Sequence, residues 1–122
     1  MTTSLVRIGL ATALLLGSIG AAAAHAHLKA STPAAGTTIS AAPAELRLGF
    51  SEGVNLKFTG VVVTGPAGVV ATSTAAMAPG DDKTLVVPVA GPLAPGAYKV
   101  EWHALATDGH KTDGSYSFTL KP

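Results

Sequence analysis

Residues 98–104, Tyr-Lys-Val-Glu-Trp-His-Ala, alternate without a break between apolar and polar side chains. Successive side chains of an extended chain point to opposite faces, so Tyr98, Val100, Trp102 and Ala104 share one face while Lys99, Glu101 and His103 share the other. The pattern predicts a strand with one face in a core and the other in water.

The same logic extends outward in both directions. Downstream, Thr107 to Gly109 breaks the strand, and Ser115 to Leu120 places Tyr116, Phe118 and Leu120 on a common face. Upstream, Glu45 to Phe50 aligns Leu46, Leu48 and Phe50, and Lys83 to Val89 aligns Leu85, Val87 and Val89. Val54 to Thr64, rich in β-branched residues and closed by Gly65-Pro66, predicts one or two strands, and Gly68 to Thr74 predicts another. Pro79-Gly80-Asp81-Asp82 is a turn signal, and Pro92 and Pro95-Gly96 punctuate the next connection. About seven short strands at roughly 10-residue spacing, with no amphipathic helix, predict an all-β fold: a Greek-key β-sandwich or barrel of immunoglobulin-like type. Trp102, Tyr98, Tyr116 and Phe118 are expected in its core.

Residues 1–24 carry one charge, Arg7, followed by an apolar run and a small-residue Ala-x-Ala pattern at Ala22 and Ala24. This is a cleavable signal peptide rather than an anchor, the run being short against the roughly 20 residues a spanning helix needs. One arginine gives no twin-arginine signal, so any metal is expected to be acquired after export. Residues 25–122 then form one domain with seven basic and seven acidic residues and no net charge. Such a surface offers nucleic acid little to hold by counterion release. The chain has no cysteine, which excludes thiol nucleophiles and disulfide staples. It also lacks a Gly-x-Ser-x-Gly, P-loop or dinucleotide motif, and nothing in it suggests an enzyme acting on a small molecule.

Four histidines remain. Cleavage after Ala24 would make His25 the first residue, adding a free amine to its imidazole; cleavage after Ala26 also satisfies the small-x-small rule and would put His27 first. His103 and His110 flank the break after the best strand, and Asp108 lies two residues before His110. If that segment is extended, Asp108 and His110 project to one side. The amine and imidazole of His25, the imidazole of His110 and a carboxylate oxygen of Asp108 form a nitrogen-rich set suited to Cu(II). Thioether donors that would favour Cu(I) are nearly absent, since Met1 leaves with the leader and Met77 stands alone.

The stretches 25–36 (His-Ala-His-Leu-Lys-Ala-Ser-Thr-Pro-Ala-Ala-Gly), 48–52 (Leu-Gly-Phe-Ser-Glu), 93–103 (Leu-Ala-Pro-Gly-Ala-Tyr-Lys-Val-Glu-Trp-His) and 107–118 (Thr-Asp-Gly-His-Lys-Thr-Asp-Gly-Ser-Tyr-Ser-Phe) resemble the CopC copper-resistance family, including its YobA-like members. The resemblance covers the whole of residues 25–122. It implies a periplasmic copper-binding protein with a cupredoxin-like or immunoglobulin-like sandwich, often working beside the inner-membrane copper protein CopD. It also implies Cu(II) ligands at His25, Asp108 and His110, and a mature start at His25. Glu52 falls at the family's Phe-Ser-Glu position, near the site. The methionine-rich Cu(I) loop of some members has no counterpart here.

Competing readings stay open at this level. With His25 first, His27 could bind Cu(II) itself through the amine, the intervening amides and its own imidazole. His103 is either a solvated strand residue or a support for the site, and Asp81, Asp82 and Asp113 read as solvated turn residues. A chelating terminal histidine with a second histidine also occurs in oxidative copper enzymes with a histidine-brace site, the alternative to a carrier or buffer. An adhesive sandwich without metal is a third reading.

Overall fold

The computed structural model describes residues 25–122. The leader assigned to residues 1–24 lies outside the described residues. Nine strands form two sheets: β1 Leu28–Thr32, β2 Thr38–Ile39, β3 Glu45–Phe50, β4 Gly60–Gly65, β5 Gly68–Val69, β6 Ala76–Met77, β7 Thr84–Pro88, β8 Gly96–Leu105 and β9 Lys111–Leu120. One sheet runs β1-β3-β7-β6 and the other β2-β9-β8-β4-β5, a β-sandwich as expected. After β1 the chain changes sheets through Pro33 to Gly36, and β2 joins the end of β9 in parallel. Proline has no N–H to give a ladder, so Pro33 is a natural place for the first sheet to release the chain.

The alternation of β8 is realised residue by residue. Tyr98, Val100, Trp102 and Ala104 are buried, whereas Lys99, Glu101 and His103 are exposed. Leu46, Leu48 and Phe50 from β3 and Leu85 and Val87 from β7 meet them from the facing sheet, with Tyr116, Phe118 and Leu120 from β9 filling the same layer. Tyr98 stacks on Phe118 with ring centroids 5.2 Å apart, and Phe50 meets Trp102 edge-on at 5.3 Å. Gly114 faces Trp102 across the β8–β9 ladder, and a Cβ there would sit 2.7 Å from the indole. Glycine at this position lets a large ring lie flat against the neighbouring strand.

Two expectations are corrected. The nine strands among the described residues include β2, β5 and β6, two-residue edge pieces too short to show a period in the sequence. Within 54–64, Val54 makes an isolated bridge to Ala106, and Leu56–Phe58 forms a 3₁₀ helix instead of a strand. The Asn55 side chain accepts the Lys57 N–H at 3.1 Å and competes locally with sheet pairing. Asp113 is not in a turn: β9 begins at Lys111, and Asp113 pairs with His103 on the outer face of the sheet. The long ladder from Gly96↔Leu120 to Leu105↔Lys111 overrides its turn preference.

Trp102→Ala should destabilise the domain by about 3–5 kcal/mol in denaturant unfolding, the range for removing a buried large aromatic. Tyr116 supplies a pH test. Burial pushes its phenol up to about 12, and the phenol oxygen has no hydrogen-bond partner among the described residues, the Ser31 hydroxyl being donated to the Pro33 carbonyl. The unfolded phenol ionises near the ordinary value of about 10. The Tyr116 contribution is therefore complete below about pH 10 and is lost as pH rises to about 12. A phenolate absorbance titration should show one late-titrating tyrosine that Tyr116→Phe removes.

Candidate metal centre

The β8–β9 ladder ends in a turn at 106–110. Ala106 N–H donates to the His110 carbonyl at 2.9 Å, Gly109 N–H donates to the Ala106 carbonyl at 2.9 Å, and Thr107 N–H donates to the Gly53 carbonyl at 3.0 Å. Gly109 has φ 94°, a left-handed conformation that glycine adopts without steric cost. Asp108 and His110 are therefore brought together by a tight turn, not by an extended segment. One Asp108 oxygen accepts the His110 N–H at 3.0 Å, and the other lies 3.0 Å from His110 Nδ1. The His110 ring holds the Asp108 carboxyl below the ordinary carboxylate range, helped by the His110 amide and by the charges of His110 and His25.

A carboxylate on one ring nitrogen of histidine places the proton there and leaves the other nitrogen as a bare donor. With Nδ1 facing Asp108, that donor is Nε2 of His110.

His25 arrives from the opposite end of the chain. Its ring meets that of His110 edge-on, centroids 4.7 Å apart, and His27 lies 6.1 Å from His25. His25 Nδ1 is sealed from solvent without a hydrogen-bond partner among the described residues. A buried imidazole nitrogen left unpaired is costly unless something coordinates it, and a metal ion is one group able to do so.

The approach is fixed by backbone contacts. The Ala26 methyl is fully buried in the core, and the Ala26 carbonyl accepts from the Thr112 hydroxyl at 2.7 Å. Ser51, just past β3, clamps the other side: its hydroxyl accepts the His27 N–H at 2.9 Å and donates to the His25 carbonyl at 3.1 Å, while its N–H donates to the His27 carbonyl at 2.8 Å. Sequence reasoning singled out Glu52, which is exposed, and missed Ser51 and Thr112.

The structure thus brings together His25, Asp108 and His110, with His27 exposed at the rim. Among the described residues, no three histidine or acidic side chains converge as a closed ligand cage. The side-chain part of the site is a histidine pair with a carboxylate committed to one member. His103 stands apart: it pairs with Gly60 and Asp113 on the outer face, and its ring lies over Gly60, where a Cβ would come within 3.2 Å.

Comparison with known proteins bears on the family and the fold. The CopC domain model matches residues 28–121. Protein YobA of Escherichia coli K12 is 44% identical over 113 residues, covering 92% of this chain and 89% of that protein. Copper resistance protein C of Pseudomonas syringae pv. tomato is 39% identical over 123 residues, covering 94% and 97%. Among solved structures, PcoC of Escherichia coli, described as a methionine-rich copper resistance protein, superposes with a TM-score of 0.71 at 36% identity over 80% of this chain and 99% of that one. The present chain has two methionines in all.

Imidazole nitrogen NMR of the metal-free protein should show neutral His110 protonated at Nδ1 and bare at Nε2, and Asp108→Ala should return it to a mixture of tautomers. The Asp108 carboxyl carbon should titrate below the ordinary value of about 3.9. Because that folded midpoint is depressed, the contact contributes fully above about pH 4 and is lost as pH falls through the lowered midpoint.

Proposed function

The chain belongs to the CopC family, and we propose that it is an exported, periplasmic Cu(II)-binding protein that carries or buffers copper in copper resistance. Residues 25–122 are the working domain, released by cleavage after Ala24. Copper is the cargo. The amine and Nδ1 of His25 chelate it, His110 supplies Nε2, and Asp108 orients the His110 ring from Nδ1. An inner-membrane protein of the CopD type is the exchange partner.

One observation carries the reading: His25 Nδ1 is buried, unpartnered and set against the His110 ring. Two borderline nitrogen donors held this close by separate parts of the chain form a site for Cu(II) rather than for a hard cation. The burial of Ala26 supports cleavage after Ala24, since a cut two residues later would remove both a core methyl and His25. Histidine and a carboxylate, without a methionine cluster, favour Cu(II) over Cu(I). Among the aromatic residues Phe58 alone is exposed, which gives a polysaccharide little to stack on and favours a carrier over an oxidative enzyme.

His110→Ala in protein that begins at His25 should weaken Cu(II) binding by at least about tenfold, equivalent to about 1.4 kcal/mol. The thermal transition of the metal-free variant should stay close to the parent's, because the side chain is exposed. Retaining Ala24 converts the amine to an amide and should weaken binding at least as much. Calorimetric titration reads both, and unchanged affinity in either case contradicts the assignment.

A further inference from the structure

A terminus that begins His25-Ala26-His27 offers Cu(II) two incompatible ligand sets. In one, His25 chelates the ion and His110 completes the set. In the other, the amine, the amide nitrogens of Ala26 and His27 and the imidazole of His27 close round the ion in one plane, the amide protons passing to water. The second set is entirely local and needs no fold. It does need the His27 amide to be free and the tripeptide to curl upon itself.

The fold opposes both requirements. The His27 N–H is already donated to Ser51 Oγ at 2.9 Å, and the same hydroxyl donates to the His25 carbonyl at 3.1 Å. The Thr112 hydroxyl holds the Ala26 carbonyl at 2.7 Å, and Ser51 N–H holds the His27 carbonyl at 2.8 Å. All three carbonyls of the tripeptide are thus occupied, and the Ala26 methyl between the histidines is fully buried. Curling round an ion would break the Ser51 contact to the His27 amide and pull Ala26 out of the core.

Building on the proposed Cu(II) function, we infer that Ser51 and Thr112 are positioning residues that select the copper-binding mode: they strap His25-Ala26-His27 to the sandwich, so that copper is taken by His25 with His110 and the local His27 mode is closed. Neither hydroxyl is a ligand. Their effect falls on which nitrogens reach the ion, so it is visible in the spectrum of bound copper.

The test uses processed protein beginning at His25, loaded with Cu(II), and reads the visible ligand-field band and the nitrogen hyperfine pattern in electron paramagnetic resonance. The parent spectrum should change in His110→Ala and stay the same in His27→Gln. In Ser51→Ala/Thr112→Val the band should move to higher energy as strong-field amide nitrogens enter, and adding His27→Gln should abolish that shift. Ser51→Thr, which retains the hydroxyl, should keep the parent spectrum. A double variant with the parent spectrum overturns the inference and leaves the copper function standing. A parent that responds to His27→Gln but not to His110→Ala also overturns it. A parent that takes up no Cu(II) overturns the proposed function itself. If circular dichroism shows the double variant unfolded, the two single variants decide: a shift in either supports the inference, and parent spectra in both overturn it.

Discussion

Burial of the Ala26 methyl group is the constraint on which this end of the molecule depends. A small residue seated in the core between two histidines leaves the flanking side chains no freedom to wander: His25 is turned toward His110, and His27 stays at the exposed rim. A larger residue at 26 would not fit a position with no exposed surface, and a flexible terminus would have to be ordered at the moment of binding. Fixing it during folding means that little of that ordering remains when copper arrives. The Ser51 and Thr112 hydroxyls complete the arrangement from the two sheets, one beyond β3 and the other on β9.

The two halves of the site come from opposite ends of the chain, and the sandwich joins them. Pairing of Leu28 with Phe50 directs the N-terminus along one sheet, while the β8–β9 ladder, closed by the Leu105↔Lys111 pair, delivers the Asp108–His110 turn from the other. Cysteine is absent, so packing of two apolar sheet faces carries this geometry without a covalent tie. Copper bound by residues separated by most of the sequence would itself favour the folded state by mass action. If His25 and His110 hold the ion as proposed, stability and cargo are linked.

The sandwich was legible because β3, β7, β8 and β9 each bury one face, and such strands print their alternation directly into the sequence. Short edge strands leave no such record, and Val54 to Phe58, though rich in apolar residues, is diverted by the Asn55 side chain into a 3₁₀ helix. Asp113 misleads in the other direction, as a turn-forming residue carried into a strand by its long ladder. The grouping of His25, Asp108 and His110 was expected from their chemistry, from the cleavage pattern and from the resemblance to the CopC family. Their geometry was not: two residues with one glycine between them suit an extended segment or a turn, and the 3.0 Å contact of His110 N–H with Asp108 belongs to the turn. Ser51 and Thr112 were invisible for a different reason. Hydroxyl residues are abundant in exposed strands, and their partners lie 26 and 86 residues away along the chain.

The proposed copper site requires that the mature protein begin at His25 and that copper bind the terminus so created. Native mass spectrometry of the protein recovered from the periplasm after growth with copper reads the cleavage point and the bound ion together. The proposed site predicts a chain of residues 25–122 carrying a single copper ion, which is lost when the amine is chemically blocked. A chain that starts at His27, or one that starts at His25 and keeps its copper after the amine is blocked, would contradict it.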